Sequence, residues 1–243
     1  MLASTITLFA TLAVAFAAPV VEERQSTWGG YDWTKGIGSS TPTTGSTGGC
    51  PAYEVISARG TTESQAAPYG NTATVNGIIN AVGGNSARYE VVYAVWNTGS
   101  RDITFETADT NFATGPAIGA ADLVKHVNNR LSSCPNTKFV LIGYLQGAMV
   151  TVTAENNSQL PRNSIVAVIL YGNPYWLPGR PENSGTARFG FGDASAFGVK
   201  TPLSGDIICT STGSIYAHLA YSGSTQQAQA IAFATAQLRA AGI

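Results

Sequence analysis

Gly143 and Gly147 frame the three residues Tyr144-Leu145-Gln146. An apolar β-type run, residues 139–142, leads into this segment, and residues 148–154 read as a buried helix leaving it. A strand, a tight turn between two glycines and a helix is the layout G-x-S-x-G, which presents a nucleophilic hydroxyl. The glycines let the helix pass close to the preceding strand, where side chains would collide. The central residue is held in a strained conformation so that its side chain stands out over the sheet edge. Here that residue is Leu145. Leucine carries no atom able to attack a carbonyl.

Ester hydrolysis by a hydroxyl also needs an imidazole to take its proton and a carboxylate to orient the imidazole. In this arrangement the chain order is nucleophile, acid, histidine. The chain has 2 histidines. His126 stands beside Lys125 in a helical segment, on a face that reads as solvated. His218 follows Asp206 in the loop beyond the last strand, in the right order and at the right end of the sheet. Asp206 would otherwise be a turn residue after Gly205, and His218 a helix-start residue. The order favours acid plus base. Neither neighbouring hydroxyl replaces a serine at 145. The Tyr144 phenol titrates near ~10, and its side chain is expected to point away from the site. Thr151 lies more than one helical turn further on.

Alternating strands and helices must carry these residues. Strands are predicted at residues 53–58, 89–95, 139–142 and 164–171, with a short one near 198–202. A helix is predicted over 71–82, with Val75, Ile78, Ile79 and Val82 on one face. A second spans 115–131 with Ile118, Leu123, Val127 and Leu131 inward, and the last spans 226–238. Residues 96–111 and 174–198 read as loops. The alternation implies an α/β fold, a mostly parallel sheet covered on both faces as a three-layer α/β/α sandwich.

With 243 residues, 44% hydrophobic and 11% charged, the chain can form one domain with a sizeable core. The net charge of -1 gives no reason to expect nucleic acid or an anionic membrane as partner. Residues 1–17 fit a signal peptide cleaved after Ala17, and the apolar run is too short to span a membrane, which takes about 20 residues. A secreted, extracellular protein is therefore expected, the alternative being a buried N-terminal helix. Residues 18–49 read as a propeptide, ending at Arg24, and a flexible Gly/Ser/Thr-rich tail; 50–243 is the folded domain.

The 3 cysteines are Cys50, Cys134 and Cys209. An odd number in an oxidising compartment means one bridge and one spare thiol. Cys50 precedes the first predicted strand and Cys134 the elbow strand. If those strands are neighbours, the two cysteines share one end of the sheet, and Cys50–Cys134 is the pairing. Asn156-Asn157-Ser158 is the N-glycosylation sequon, placed in a polar loop after the elbow helix. There are too few His and Cys for a metal cage and no glycine loop followed by lysine for a phosphate, so no cofactor and no metal are expected.

The chain resembles the fungal cutinase and acetylxylan esterase family from Cys50 to its end. The matching stretches are Cys50 with Ala58-Arg59-Gly60-Thr61-Thr62-Glu63, Cys134-Pro135 with the segment 143–147, and Gly205-Asp206-Ile207-Ile208-Cys209 with His218. The resemblance implies a small, lidless α/β-hydrolase cleaving carboxylic esters on plant polymers, either cutin or acetylated xylan. It also implies the Cys50–Cys134 bridge, Asp206 as triad acid and His218 as base. The backbone N–H of Gln146 and the region of Thr61, with its hydroxyl, would form the oxyanion hole. Two positions depart from the family pattern. The serine is Leu145, and the usual cysteine partner of Cys209 is Pro202.

Removing the serine of a triad costs on the order of 10⁶ in kcat, about 8 kcal/mol at the transition state. The expectation is a hydrolytically impaired protein that binds its ligand or signals. That ligand is an ester of a plant polymer or a small acyl ester, bound by a monomer. The alternative is an active carboxylesterase of the same family, because serine and leucine codons can differ by a single base. Tyr175, Trp176, Phe189 and Phe191 suggest an apolar rim suited to cutin or lipid-like esters.

Overall fold

Three runs of β-branched and aromatic residues, buried at almost every position, form the strands β1 (Tyr53–Ala58), β3 (Lys138–Tyr144) and β4 (Ile165–Tyr171). A fourth strand, β2 (Ser86–Glu90), is less apolar and only Ala87 on it is fully buried, which suits an edge. The computed structural model describes residues 49–61, 63–64, 68–93, 110–176, 205–208 and 213–243. All described residues lie in one compact unit.

All pairings in this sheet are parallel, in the order β2-β1-β3-β4. The chain therefore steps outward from β1 to β2, then returns to lay β3 and β4 on the other side. Such a reversal opens a crevice beyond the C-terminal ends of the two central strands, here β1 and β3. Helices cover both faces. Val75 and Ile78 of α1 (Tyr69–Val82) and Ala230, Ala234 and Leu238 of α5 (Thr225–Ala240) pack on Val55, Val140, Ile142 and Ile169. Leu123 and Val127 of α2 (Thr110–Ser133) and Val150 and Val152 of α3 (Gln146–Asn156) pack on Ile56, Leu141, Val168 and Leu170. This is a three-layer α/β fold. Cys50 and Cys134 are joined by a disulfide with Cα atoms 5.3 Å apart.

Several sequence expectations shift. The second strand spans residues 86–90 rather than 89–95. Val91 N–H still donates to Ser57 O, but Val92 N–H turns to the Asp122 carboxylate at 2.9 Å, and Arg59 takes the carbonyls of Val91 and Tyr93. Side chains have claimed the backbone groups a longer strand would have paired. The second helix begins at Thr110 and runs past Pro116, forgoing the hydrogen bond a missing N–H would have made. Ile118 is 57% exposed rather than inward. It lies five residues before Leu123, about 140° around a helix, and Gly119 and Ala120 take the buried positions instead. Asn156 is the last residue of α3, not a loop residue. The expected strand near 198–202, Cys209, Pro202, Phe189 and Phe191 lie outside the described residues, as do the N-terminal segments.

His126 is not on a solvated face. Its Nε2 bonds Glu54 Oε1 at 3.0 Å, and its ring stacks on Tyr89 with centroids 3.6 Å apart. Glu54 is a fully buried carboxylate on β1, also held by Arg130 Nε at 2.9 Å. Burial alone would raise that carboxyl, but hydrogen bonds and charge from His126 and Arg130 outweigh it and hold it below its ordinary value. Helical spacing showed the face of α2 but not the buried acid on the strand facing it.

Candidate active site

β3 delivers the chain to Leu145, whose φ of 52° and ψ of -114° make it the non-glycine residue with positive φ among the described residues. Such a backbone costs on the order of 1–3 kcal/mol and persists only where its surroundings enforce it. Leu145 N–H donates to Tyr171 O at 3.0 Å, and Leu145 O accepts from Ala148 N–H at 3.0 Å as α3 starts. A Cβ on Gly143 would lie 2.4 Å from Gly147 O, and one on Gly147 would lie 1.9 Å from Ala58 O. Both neighbours are backbone atoms, so both glycines are required for α3 to start this close to β3 and β1.

Asp206 and His218 meet at the end of β4. Residues 205–208 and the short helix α4 (Ile215–His218) carry them, and Ser214 N–H ties the two segments by donating to Gly205 O at 2.6 Å. His218 Nδ1 lies 3.2 and 3.1 Å from the two Asp206 oxygens. Asp206 is fully buried and also accepts from Tyr221 O–H at 2.7 Å and from Ile208 N–H at 2.8 Å. These contacts fix the carboxylate in place. With Nδ1 turned to Asp206, the ring directs Nε2 away from the carboxylate. Nε2 is buried and has no hydrogen-bond partner among the described residues.

The imidazole reaches the elbow through the end of β4. A Cβ on Gly172, the residue after Tyr171, would lie 2.4 Å from His218 Cε1, so only glycine leaves room for the ring. Leu145 is bonded to Tyr171, and His218 sits on Gly172. Tyr144 does not point away from the site. Its ring stacks on His218 and its hydroxyl donates to His218 O at 3.2 Å. Thr151 is buried with its hydroxyl donating to Gly147 O, so it offers no reacting oxygen.

The turn after β1 lies on the other flank of α3. The Cβ that Gly147 lacks would touch Ala58 O and Arg59 O, which puts this turn against the residues that open the helix. Thr61 Oγ1 is a buried hydroxyl with no partner among the described residues, and Gln146 is buried at the first position of α3. A helix start set against this turn is a place where negative charge can be received. No group of three or more His, Cys, Asp or Glu suited to a metal occurs among the described residues.

An elbow at a sheet switch point, backed by a buried Asp–His pair, agrees with the comparison to known families, where the model described as Cutinase matches residues 49–238. The chain belongs to the cutinase family. Among other family members, carboxylesterase Culp1 of Mycobacterium tuberculosis is 30% identical over 203 residues, covering 79% of this chain and 84% of that protein. Cutinase 4 of Emericella nidulans is 31% identical over 185 residues, 74% of this chain and 70% of the relative. The solved structure of an acetylxylan esterase superposes with a TM-score of 0.59 at 26% identity, over 78% of this cutinase-family chain and all of the other.

Two contributors to the site, Tyr221 and Gly172, were not singled out by sequence reasoning. Gly172 carries no spacing signal, because it meets His218 only across the fold, and Tyr221 reaches Asp206 by folding back over the loop between them. Tyr175, expected on an apolar rim, is half-buried and packs against the core on the α2/α3 face.

Proposed function

We propose that this chain is a secreted cutinase-family protein that keeps the esterase scaffold but is hydrolytically impaired, holding an ester of a plant polymer or a small acyl ester without turning it over. The observation that carries the proposal is Leu145 at the elbow, in the strained backbone normally given to a nucleophile, on the strand end that also borders the His218–Asp206 pair. In this reading His218 Nε2 would accept a proton and the Thr61 and Gln146 donors would receive the oxyanion. No oxygen at position 145 supplies the attack. Secretion is supported by the apolar run of residues 5–18 and by the Cys50–Cys134 bridge. Among the described residues no helix is long and apolar enough to cross a membrane.

The critical experiment is hydrolysis of 4-nitrophenyl acetate and butyrate by the unmodified protein and by Leu145→Ser. The unmodified protein should show little beyond the ~10³–10⁴-fold acceleration over water left to a triad enzyme without its nucleophile. Leu145→Ser should raise kcat by several orders of magnitude. Ordinary esterase rates in the unmodified protein would overturn the proposal and make the chain a working carboxylesterase.

A further inference from the structure

The turn that carries Thr61 is closed twice by one residue. Glu63 N–H donates to Gly60 O at 3.2 Å, and the Glu63 carboxylate accepts the Gly60 N–H through Oε2. Its other oxygen, Oε1, accepts the N–H of Gly70 in the first turn of α1. The residue before that helix is Pro68, which has no side chain able to cap it, so Glu63 supplies the acceptor a helix start requires. The main chain of Glu63 is held in turn. Arg59 Nε donates to Glu63 O at 3.2 Å, while the Arg59 guanidinium is anchored on Val91 O and Tyr93 O and lies 4.7 Å from the Tyr93 ring centroid.

The two glycines gripped by Glu63 touch the same aromatic ring. A Cβ on Gly60 would lie 2.6 Å from Tyr144 Cδ1, and one on Gly70 would lie 2.3 Å from it. That ring is the one stacked on His218. The Thr61 turn and the imidazole are thus both set against Tyr144, the residue before the elbow's apex.

We propose that Glu63 is a positioning residue for the ester reaction of this fold: its carboxylate, bonded to the N–H groups of Gly60 and Gly70, locks the Thr61 turn on the Tyr144 ring and so sets the distance between the oxyanion donors and His218. The proposal rests on the reading of Leu145 as an occupied nucleophile position, because turnover has to be restored before positioning can be measured as rate. Glu63 itself touches no reacting atom. Its effect is to keep the Thr61 hydroxyl, buried and without a partner, where charge develops.

The test compares Leu145→Ser with Leu145→Ser/Glu63→Gln, Leu145→Ser/Glu63→Ala and Leu145→Ser/Glu63→Asp on 4-nitrophenyl acetate. Glutamine presents an NH₂ to one of the two N–H groups, and alanine meets neither. Both should lower kcat by about 10–100-fold with KM within about twofold, the scale of a misplaced oxyanion donor, and aspartate, which keeps the carboxylate, should recover part of the loss. A kcat within about twofold of Leu145→Ser in the alanine variant, or an equal loss in KM, overturns the proposal and leaves Glu63 a helix cap. If Leu145→Ser shows no turnover, the nucleophile reading fails. Glu63 is then judged by amide hydrogen exchange in the otherwise unmodified protein. Glu63→Ala should lose at least about tenfold protection at the Gly60 and Gly70 N–H groups. Unchanged protection there overturns the clamp.

Discussion

The Tyr144 ring lies on the His218 imidazole with centroids 5.0 Å apart and planes 17° apart, and its hydroxyl donates to the His218 carbonyl oxygen at 3.2 Å. One residue therefore supports the histidine by a ring face and by a hydrogen bond, and the two contributions separate cleanly. Tyr144→Phe should cost about 1 kcal/mol, the net worth of one buried hydrogen bond. Tyr144→Ala should cost about 3–5 kcal/mol, as for other buried aromatics. Urea denaturation of the three proteins measures both values. Equal losses in the two variants would show that the ring face contributes nothing.

Gly147→Ala should be among the most damaging single-methyl additions available in this chain. The new Cβ would meet Ala58 O at 1.9 Å, and a β1 carbonyl cannot swing aside as a side-chain tip can. The expected loss exceeds the roughly 1–3 kcal/mol of ordinary overpacking. Gly83→Ala is the control. Gly83 has a φ of 71° and a ψ of -158° with nothing within 4 Å of an added Cβ, so it feels only backbone strain, about 1–3 kcal/mol. Thermal denaturation should rank Gly147→Ala well below Gly83→Ala, and the reverse order would contradict the close approach of α3 to β1.

Glu90, at the end of β2, gives the protein a pH dependence of unusual sign. Burial pushes its carboxyl up to about 8, against opposing hydrogen bonding from Ser57 and the charge of Arg59. The unfolded chain ionises this group near its ordinary value of 4.5, while the folded chain holds it protonated until about 8. Folding therefore retains a proton through that window, and this group's contribution to stability falls as pH rises from about 4.5 to about 8. Its slope approaches one proton, ~1.4 kcal/mol per pH unit, and levels off above. Glu90→Gln should flatten that portion of a stability profile measured by denaturant melts between pH 5 and pH 8. An unchanged profile would show that Glu90 is ionised in the folded protein.

Much of the architecture could be read before any coordinates, because its causes are local. The alternation of apolar runs with helical periodicity sufficed for β1, β3, β4, α1 and α5, and for a parallel sheet covered on both faces. Two glycines at the right interval announced the elbow, since only a helix starting against the strand before it needs both. The order of Asp206 and His218 along the chain pointed to a pair that the structure brings into contact. In two of the places where local reasoning erred, a partner distant in sequence had intervened. β2 ends early because Asp122 and Arg59 claim its backbone. His126 is drawn in by Glu54, 72 residues away. Ile118 faces out because helical rotation, not apolar character, decides which residues meet the sheet.

By itself, then, the sequence determined the fold class, the family and the identity of Leu145 between the two elbow glycines, since each depends on residue identity and short spacing. Only the tertiary structure decided what holds the site in place. Gly172 beneath His218, and Gly60 and Gly70 against the Tyr144 ring, are contacts between segments separated by tens of residues, while Tyr221 on Asp206 and Glu63 on the two glycines close the shorter loops between them. No spacing rule encodes such contacts. They come into being when the reversal of strand order brings the ends of β1, β3 and β4 together, and the low-dielectric interior then rewards each polar group that finds its partner.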